Sequence, residues 1–181
     1  MLVDDEPNIR VLLMAIFEAN GYIVDCAEDG FAALHSIRAA VPDLIVSDLR
    51  MPNMNGFELL AVVRDKFPAM PIIAISGEFV GEQVEGVLAD AFFQKAHYSP
   101  SDLLATVEDL LEGRRRVLPE QQGIPVWAPI GDAPVMLTCN ECLRSFPIDP
   151  CGIHKNDQNE VQCIFCGVLL RFRLVAVTKP A

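Results

Sequence analysis

No apolar run in this 181-residue sequence approaches the roughly 20 residues that a membrane-spanning helix requires. Basic residues are also scarce, with 14 Lys and Arg against 25 Asp and Glu. The deficit is concentrated: residues 1–113 hold 19 acidic and 6 basic side chains, a balance of −13, whereas residues 114–181 hold 6 and 8, a balance of +2. The first part therefore repels nucleic acid and anionic membrane, and the second lacks the basic footprint of a DNA-binding domain. Cysteine is nearly absent from the first part, where Cys26 stands alone, yet five of the six crowd into the last quarter. In a reducing compartment such clustering favours a metal over disulfides. A secretory leader is not expected either, because Asp4, Asp5 and Glu6 occupy a start that should be basic and then apolar. These absences lead to the expectation of a cytoplasmic protein with no membrane segment.

What is present is a core-forming composition, 51% apolar, arranged as alternating strand and helix patterns over residues 1–113. "MLVDD" reads as a short strand that ends in acids. "PNIRVLLMAIFEANG" reads as a helix with Pro7 in its first turn, Gly21 past its end and one apolar face of Ile9, Leu12, Leu13, Ile16 and Phe17. "YIVDCA", "DLIVSD", "MPIIAISG" and "AFFQK" read as further strands. "GFAALHSIRAA" and "NGFELLAVVRDKF" read as helices, and Glu78–Asp90 as a weak one broken by Gly81 and Gly86. "SPSDLLATVEDLLEG" opens on Ser99 as N-cap with Asp102 completing a capping box. The first strand starts only three residues before Asp4, so either the natural start lies upstream or this strand is weakly held.

Five β–α units in series imply an α/β fold, a parallel sheet covered by helices on both faces. Sites in such folds lie beyond the carboxyl ends of the strands. That brings Asp4, Asp5, Asp48, Ser76 and Lys95 to one crevice. Any of them alone is unremarkable: an acidic helix start, a turn serine, a surface lysine. Together they place three carboxylates, a hydroxyl and an amine at four strand ends. Ionised carboxylates so close require a cation, and oxygen ligands with open positions suit Mg²⁺. The lysine and hydroxyl add contacts for phosphoryl oxygens, so the set suits phosphoryl transfer with a carboxylate nucleophile, Asp48. Pro52 and Gly56 let the following loop turn sharply and aim the Arg50 carbonyl at the metal.

"LVDDE", "SDLRMPNMNGFELL", "AISG" and "AFFQKA" together resemble the receiver domain of two-component response regulators, over residues 1–113. The resemblance implies a flavodoxin-like doubly wound sheet and Asp48 as phosphoacceptor. It implies Mg²⁺ held by Asp5, Asp48 and the Arg50 carbonyl, with Asp4 bound through water, and Ser76 and Lys95 as phosphoryl contacts. Phe92 matches the aromatic position that turns inward behind the hydroxyl residue. The expected partner is a sensor histidine kinase or phosphotransfer protein. No turnover of a separate substrate is expected. Ala96 departs from the proline usual after the lysine.

Residues 114–135 contain four prolines and two glycines and read as a semi-extended linker, with Trp127 as a docking anchor. Arg114–Arg116 complement the helix end before it; the alternative is a phosphate-binding patch with Arg144, Arg171 and Arg173. Within residues 136–177, Cys139-x₂-Cys142 and Cys163-x₂-Cys166 stand 20 residues apart. Two such knuckles complete a tetrahedral Zn²⁺ site, and metal binding supplies the folding energy that a module of about 40 residues lacks. This part is similar to small prokaryotic zinc ribbons, which implies a structural metal. Cys151 and His154, midway between the pairs, read as loop residues, a shared ligand set being the alternative. Cys26 reads as a small buried apolar residue. The expected whole is a response regulator whose zinc ribbon is an output or docking module for a further protein; a homodimer is compatible with it. One rival is a nucleic-acid-binding regulator acting through the ribbon, which the +2 balance disfavours. Another is an aspartate-nucleophile phosphatase, disfavoured because Arg50 occupies the place of the second acid that such enzymes need. The purified protein is expected to hold close to one zinc per chain, and removing Cys151 and His154 together should leave that ratio unchanged by elemental analysis; a lower ratio in the double variant would bring these two residues into the site.

Overall fold

The structure, a computed structural model, describes residues 1–77, 88–95, 97–113, 135–148 and 159–172. The expected weak helix before Asp90, Ala96, the linker with Trp127 and Arg114–Arg116, and Cys151, His154 and Arg173 lie outside them. The chain forms two compact units, Met1–Pro119 and Glu120–Ala181.

In the first unit the strands are β1 (Leu2–Val3), β2 (Cys26–Ala27), β3 (Ile45–Asp48), β4 (Ile72–Ser76) and β5 (Ala91–Gln94). The helices are α1 (Pro7–Ala19), α2 (Gly30–Ala39), α3 (Gly56–Lys66) and α4 (Pro100–Leu111). All strand pairs are parallel, in the order β2-β1-β3-β4-β5. The order reverses between β1 and β3, which opens a crevice at their carboxyl ends. Leu2, Val46, Ile73 and Ile75 form one core with Leu13 and Phe17 of α1 and Leu103, Val107 and Leu110 of α4. Side chains alternate along a strand, so the equally buried Ile45, Ile72 and Ala74 face the opposite layer, with Leu34 and Ile37 of α2 and Leu59 and Val63 of α3. Strands buried on both faces explain the unbroken apolar runs in the sequence.

The helix ends follow their residues. Ser99 accepts from Asp102 N–H and Asp102 returns the bond, the expected capping box. Asn55 and Glu58 form a second one at α3, where burial pushes Glu58 up to about 7. Gly21 ends α1 at φ +87°.

Three local readings change. Leu12 is not on the apolar face of α1: it is 57% exposed, while Leu13 and Phe17 are buried. β2 covers only two of the six residues expected, because β1 offers only Leu2 and Val3 as partners. Along the unpaired approach Tyr22 and Val24 still pack on the core, and Ile23 points outward. Cys26 is exposed rather than buried, since Ala27 takes the inward place in this two-residue strand. The first strand itself is held on both sides, paired to β2 and β3 with Val3 fully buried.

One buried ion pair braces the sheet. Arg64 donates to Asp90 Oδ2 at 2.8 Å and to the carbonyls of Pro68, Met70 and Leu88. Ile72 N–H donates to the same Asp90 oxygen at 2.8 Å. The end of α3, the turn into β4 and the approach to β5 are thus tied to one guanidinium.

In the second unit β6 (Val135–Thr138) pairs antiparallel with β7 (Ser145–Ile148), and β8 (Asn159–Gln162) with β9 (Leu169–Phe172). Its small core joins Leu137, Phe146, Ile148, Leu170 and Phe172 to Cys139 and Cys163.

Truncating Arg64 to Ala leaves Asp90 buried without its cation, and the unfolding free energy should fall by about 3–5 kcal/mol in urea titrations followed by circular dichroism; a loss of only about 1 kcal/mol, the scale of a surface pair, would show the brace to be slack.

Candidate functional site

The crevice at the β1/β3 switch collects the residues that the sequence places at strand ends. Asp4, just past β1, is buried and accepts from the Glu6 N–H at 2.9 Å. Arg10 of α1 donates to the Asp4 carbonyl, fixing the backbone of the turn. Asp5 is exposed. Asp48 ends β3, only 4% exposed, with Oδ1 accepting from the Arg50 N–H at 3.1 Å. Carboxylate oxygens of Asp4, Asp5 and Asp48 lie within 4.8 Å of one another.

Lys95 follows β5, and its backbone N–H donates to the Ser76 carbonyl at 2.8 Å. Its ammonium reaches Asp48 Oδ2 at 2.7 Å, Asp4 Oδ2 at 3.1 Å and Glu6 Oε1 at 3.0 Å. Burial alone would lower the lysine pKa, but the hydrogen bonds it donates to Asp48, Glu6 and Asp4 outweigh it and hold the pKa above the usual value. Burial acts the other way on Asp4 and keeps its carboxyl above the usual range, against the Glu6 N–H and Lys95. Ser76, at the end of β4, is 1% exposed. Its hydroxyl is the one buried side-chain polar atom without a hydrogen-bond partner among the described residues.

A buried hydroxyl without a partner at a strand end calls for an outside acceptor or donor. The oxygen-only donor set, one member exposed and two buried, fits a small hard cation that keeps some of its waters. Four of the side chains named from the sequence, Asp4, Asp5, Asp48 and Lys95, come together here, Ser76 joins them through its backbone carbonyl bonded to Lys95, and the Arg50 N–H meets Asp48. Glu6 was not anticipated, although its adjacency in "DDE" was the available signal. It reaches Lys95 from the N-cap position of α1.

The loop after Asp48 differs in its mechanics from the reading of Pro52 and Gly56. The left-handed position is Asn53, at φ 62°. Gly56 matters through proximity, since a Cβ there would lie 2.0 Å from the Asp48 carbonyl oxygen. Phe92 pairs with Ala74 across β4 and β5 and is half-buried.

A family model for the response regulator receiver domain matches residues 1–108. This chain belongs to that family. Among curated relatives, response regulator Rre1 of Synechocystis is 32% identical over 117 residues, 61% of this chain and 50% of Rre1. Response regulator MprA of Mycobacterium avium is 33% identical over 147 residues, 80% of this chain and 63% of MprA. The chain thus spans about half to two thirds of the length of these two regulators. Sensor protein EvgS of Escherichia coli matches at 42% over 72 residues, 6% of its length. Among solved structures, chemotaxis protein CheY4 of Vibrio cholerae aligns with TM-score 0.56 at 32% identity, covering 60% of this chain and 94% of CheY4. A CheY-like receiver from Methanospirillum hungatei gives 0.56 at 28%, covering 62% and 92%. The first unit of the receiver chain is therefore a CheY-like, flavodoxin-type sheet.

A second ligand cluster lies in the other unit. Cys139, Cys142, Cys163 and Cys166 bring their sulfurs within 4.8 Å of one another. Cys139 and Cys166 are 3.6 Å apart, Cys142 and Cys163 3.8 Å. Thiolates about 2.3 Å from a tetrahedral ion stand about 3.8 Å apart, so the set fits Zn²⁺. The two knuckles are built alike. Cys139 N–H donates to Arg144 O and Cys163 N–H to Val168 O, while Leu143 and Gly167 return bonds to the carbonyls of Cys139 and Cys163. Leu143 at φ 54° and Gly167 at φ 78° hold the same left-handed place. Glycine adopts this conformation freely, whereas Leu143 holds it with its side chain buried. Burial pushes the Cys139 thiol up to about 12. Cys163 is brought down to about 7: burial opposes this, but the N–H groups of Cys166 and Phe165 favour its thiolate.

The sign of the lysine shift fixes a pH dependence. Lys95 stabilises the fold fully below the ordinary lysine pKa and loses that contribution as the pH rises through its raised value. In metal-free buffer Lys95→Met should therefore melt below wild type at pH 7, and the gap should narrow as the pH is raised beyond the lysine range. A gap independent of pH would mean that the lysine stem, not its charge, supports the crevice.

Proposed function

We propose that this receiver accepts a phosphoryl group on Asp48 from a sensor histidine kinase or a phosphotransfer protein, within a cytoplasmic two-component system. The reading rests on one observation above all: the Lys95 ammonium lies 2.7 Å from Asp48 Oδ2, beside the cluster of Asp4, Asp5 and Asp48 carboxylates.

Asp48 Oδ2 attacks phosphorus and the bond to the donor imidazole nitrogen breaks. The imidazole leaves with its electron pair and takes a proton, and an acyl phosphate remains on Asp48. Lys95 transfers its contact from the carboxylate oxygen to a phosphoryl oxygen, and Ser76 donates to another. Glu6 and Asp4 keep the ammonium close during that change. Asp5, Asp48 and the Arg50 carbonyl would hold Mg²⁺, with Asp4 acting through water, and the ion would supply charge neutralisation. The protein assists phosphorylation of its own side chain and the later hydrolysis, and turns over no separate substrate. Movement of Ser76 toward the phosphoryl group, with Phe92 turning in behind it, changes the surface that partners read.

On this reading residues 1–113 are the receiver, 114–135 the linker and 136–177 a zinc ribbon that serves as output or docking module. A protein partner suits the ribbon better than nucleic acid. Arg171 pairs with Glu160 at 2.9 Å and Arg144 lies over the Phe165 ring at 5.2 Å, so both cations are engaged within the module.

Incubation with a small phosphodonor and Mg²⁺ should add one phosphate's mass to the intact protein, labile to base and absent from Asp48→Asn. An unmodified wild type under generous donor and metal, or equal labelling of the Asn variant, would remove Asp48 from the role.

A further inference from the structure

The loop that carries Arg50 is pinned at a point remote from the crevice. Asp29, the N-cap of α2, is 7% exposed. Its Oδ1 accepts from Ala32 N–H at 2.8 Å, an ordinary cap. Its Oδ2 accepts from Asn53 Nδ2 at 2.7 Å, 24 residues away. Beside it Gly30 N–H donates to the Met54 carbonyl at 3.0 Å. The contact is tight, since a Cβ on Gly30 would stand 2.7 Å from Met54 Cγ. The ends of the loop are fixed separately: Leu49 N–H donates to Ile75 O and Gly56 N–H to Leu49 O. Between these anchors Arg50 N–H meets Asp48 Oδ1. The left-handed backbone of Asn53 is the point where the loop reverses.

We infer that Asp29 is a positioning residue of the phosphoacceptor site: through Asn53 it holds the Asp48–Gly56 loop so that the Arg50 carbonyl is presented to the metal. This rests on the reading of the Mg²⁺ site above. A capping residue needs one carboxylate oxygen, and the second holds the loop by a charge-assisted, part-buried bond. Asp29 touches neither metal nor phosphoryl group. Its effect is to remove freedom from a ligand that is itself only backbone and cannot be steered by a rotamer.

Three substitutions in the full chain separate the latch from the cap. Asp29→Ser keeps an N-cap oxygen but is too short to reach Asn53. Asn53→Gly removes the amide and tolerates the positive φ. Asp29→Asn keeps the cap and can re-form the latch, because its amide can donate to Asn53 once that side chain flips. Titration with MgCl₂ by calorimetry should show affinity weakened about tenfold in Asp29→Ser and Asn53→Gly, with helix content unchanged. Affinity in Asp29→Asn should stay within about twofold of wild type. Without metal, the Gly30 amide should exchange faster in the first two variants only. Saturating Mg²⁺ should restore the plateau rate of phosphorylation by a small phosphodonor, so that half-saturation moves and the maximum does not.

Wild-type affinity in Asn53→Gly overturns the latch, as does equal damage in Asp29→Asn and Asp29→Ser. Should Asp29→Ser fail to fold, Asn53→Gly decides alone. A wild type that takes up no Mg²⁺ overturns the site and the latch with it, whereas Mg²⁺ uptake that is lost in Asp48→Asn and unchanged in Asn53→Gly overturns the latch only.

Discussion

The crevice depends on one ammonium group shared by three carboxylates. Lys95 is the common partner of Asp4, Glu6 and Asp48. Two of these acids are almost wholly buried, and taking a carboxylate out of water costs several kcal/mol unless opposite charge stands beside it. The buried acids stand at the carboxyl ends of parallel strands, where the reversal of strand order opens a crevice. Everything around the crevice limits how that charge is arranged. Arg10 holds the backbone of Asp4, the Arg50 N–H holds one oxygen of Asp48, and the β4–β5 ladder holds Lys95 beside Ser76.

A site built this way is balanced rather than rigid. The lysine satisfies the carboxylates when no other cation is near, yet its side chain is partly exposed and long enough to change oxygens. Ser76 is the opposite case, a short buried hydroxyl with nothing to bond. One group has several partners and the other has no hydrogen-bond partner among the described residues.

The second unit solves a different problem. Its core of about seven side chains is small for a folded module, and four sulfurs sit at its edge. Left without metal, these thiols crowd one another and burial raises Cys139 far above the usual thiol range. A tetrahedral cation bound by the four sulfurs would convert that crowding into cohesion. The repeated hydrogen-bond pattern at Cys139 and Cys163 means that both knuckles are shaped by backbone, with Leu143 adopting a conformation that glycine adopts in its twin.

The alternation of strands and helices, the Ser99 cap, Pro7 in the first turn of α1, and the acids and lysine of the crevice were legible in the linear chain, because each is announced by local chemistry. Buried runs announce parallel strands, Ser-x-x-Asp announces a cap, and acids at strand ends announce a cation. The exposure of Cys26 and Leu12 was not legible, since a two-residue strand and the edge of a helix face have no period to read. The Glu6–Lys95 contact and the Asp29–Asn53 bond join residues 89 and 24 positions apart. Sequence alone determined which chemical groups this protein carries and the strand ends at which they stand. Tertiary structure decided which of them touch, because register, turn conformation and the packing of α2 against the loop after β3 depend on contacts between segments that the chain order does not encode.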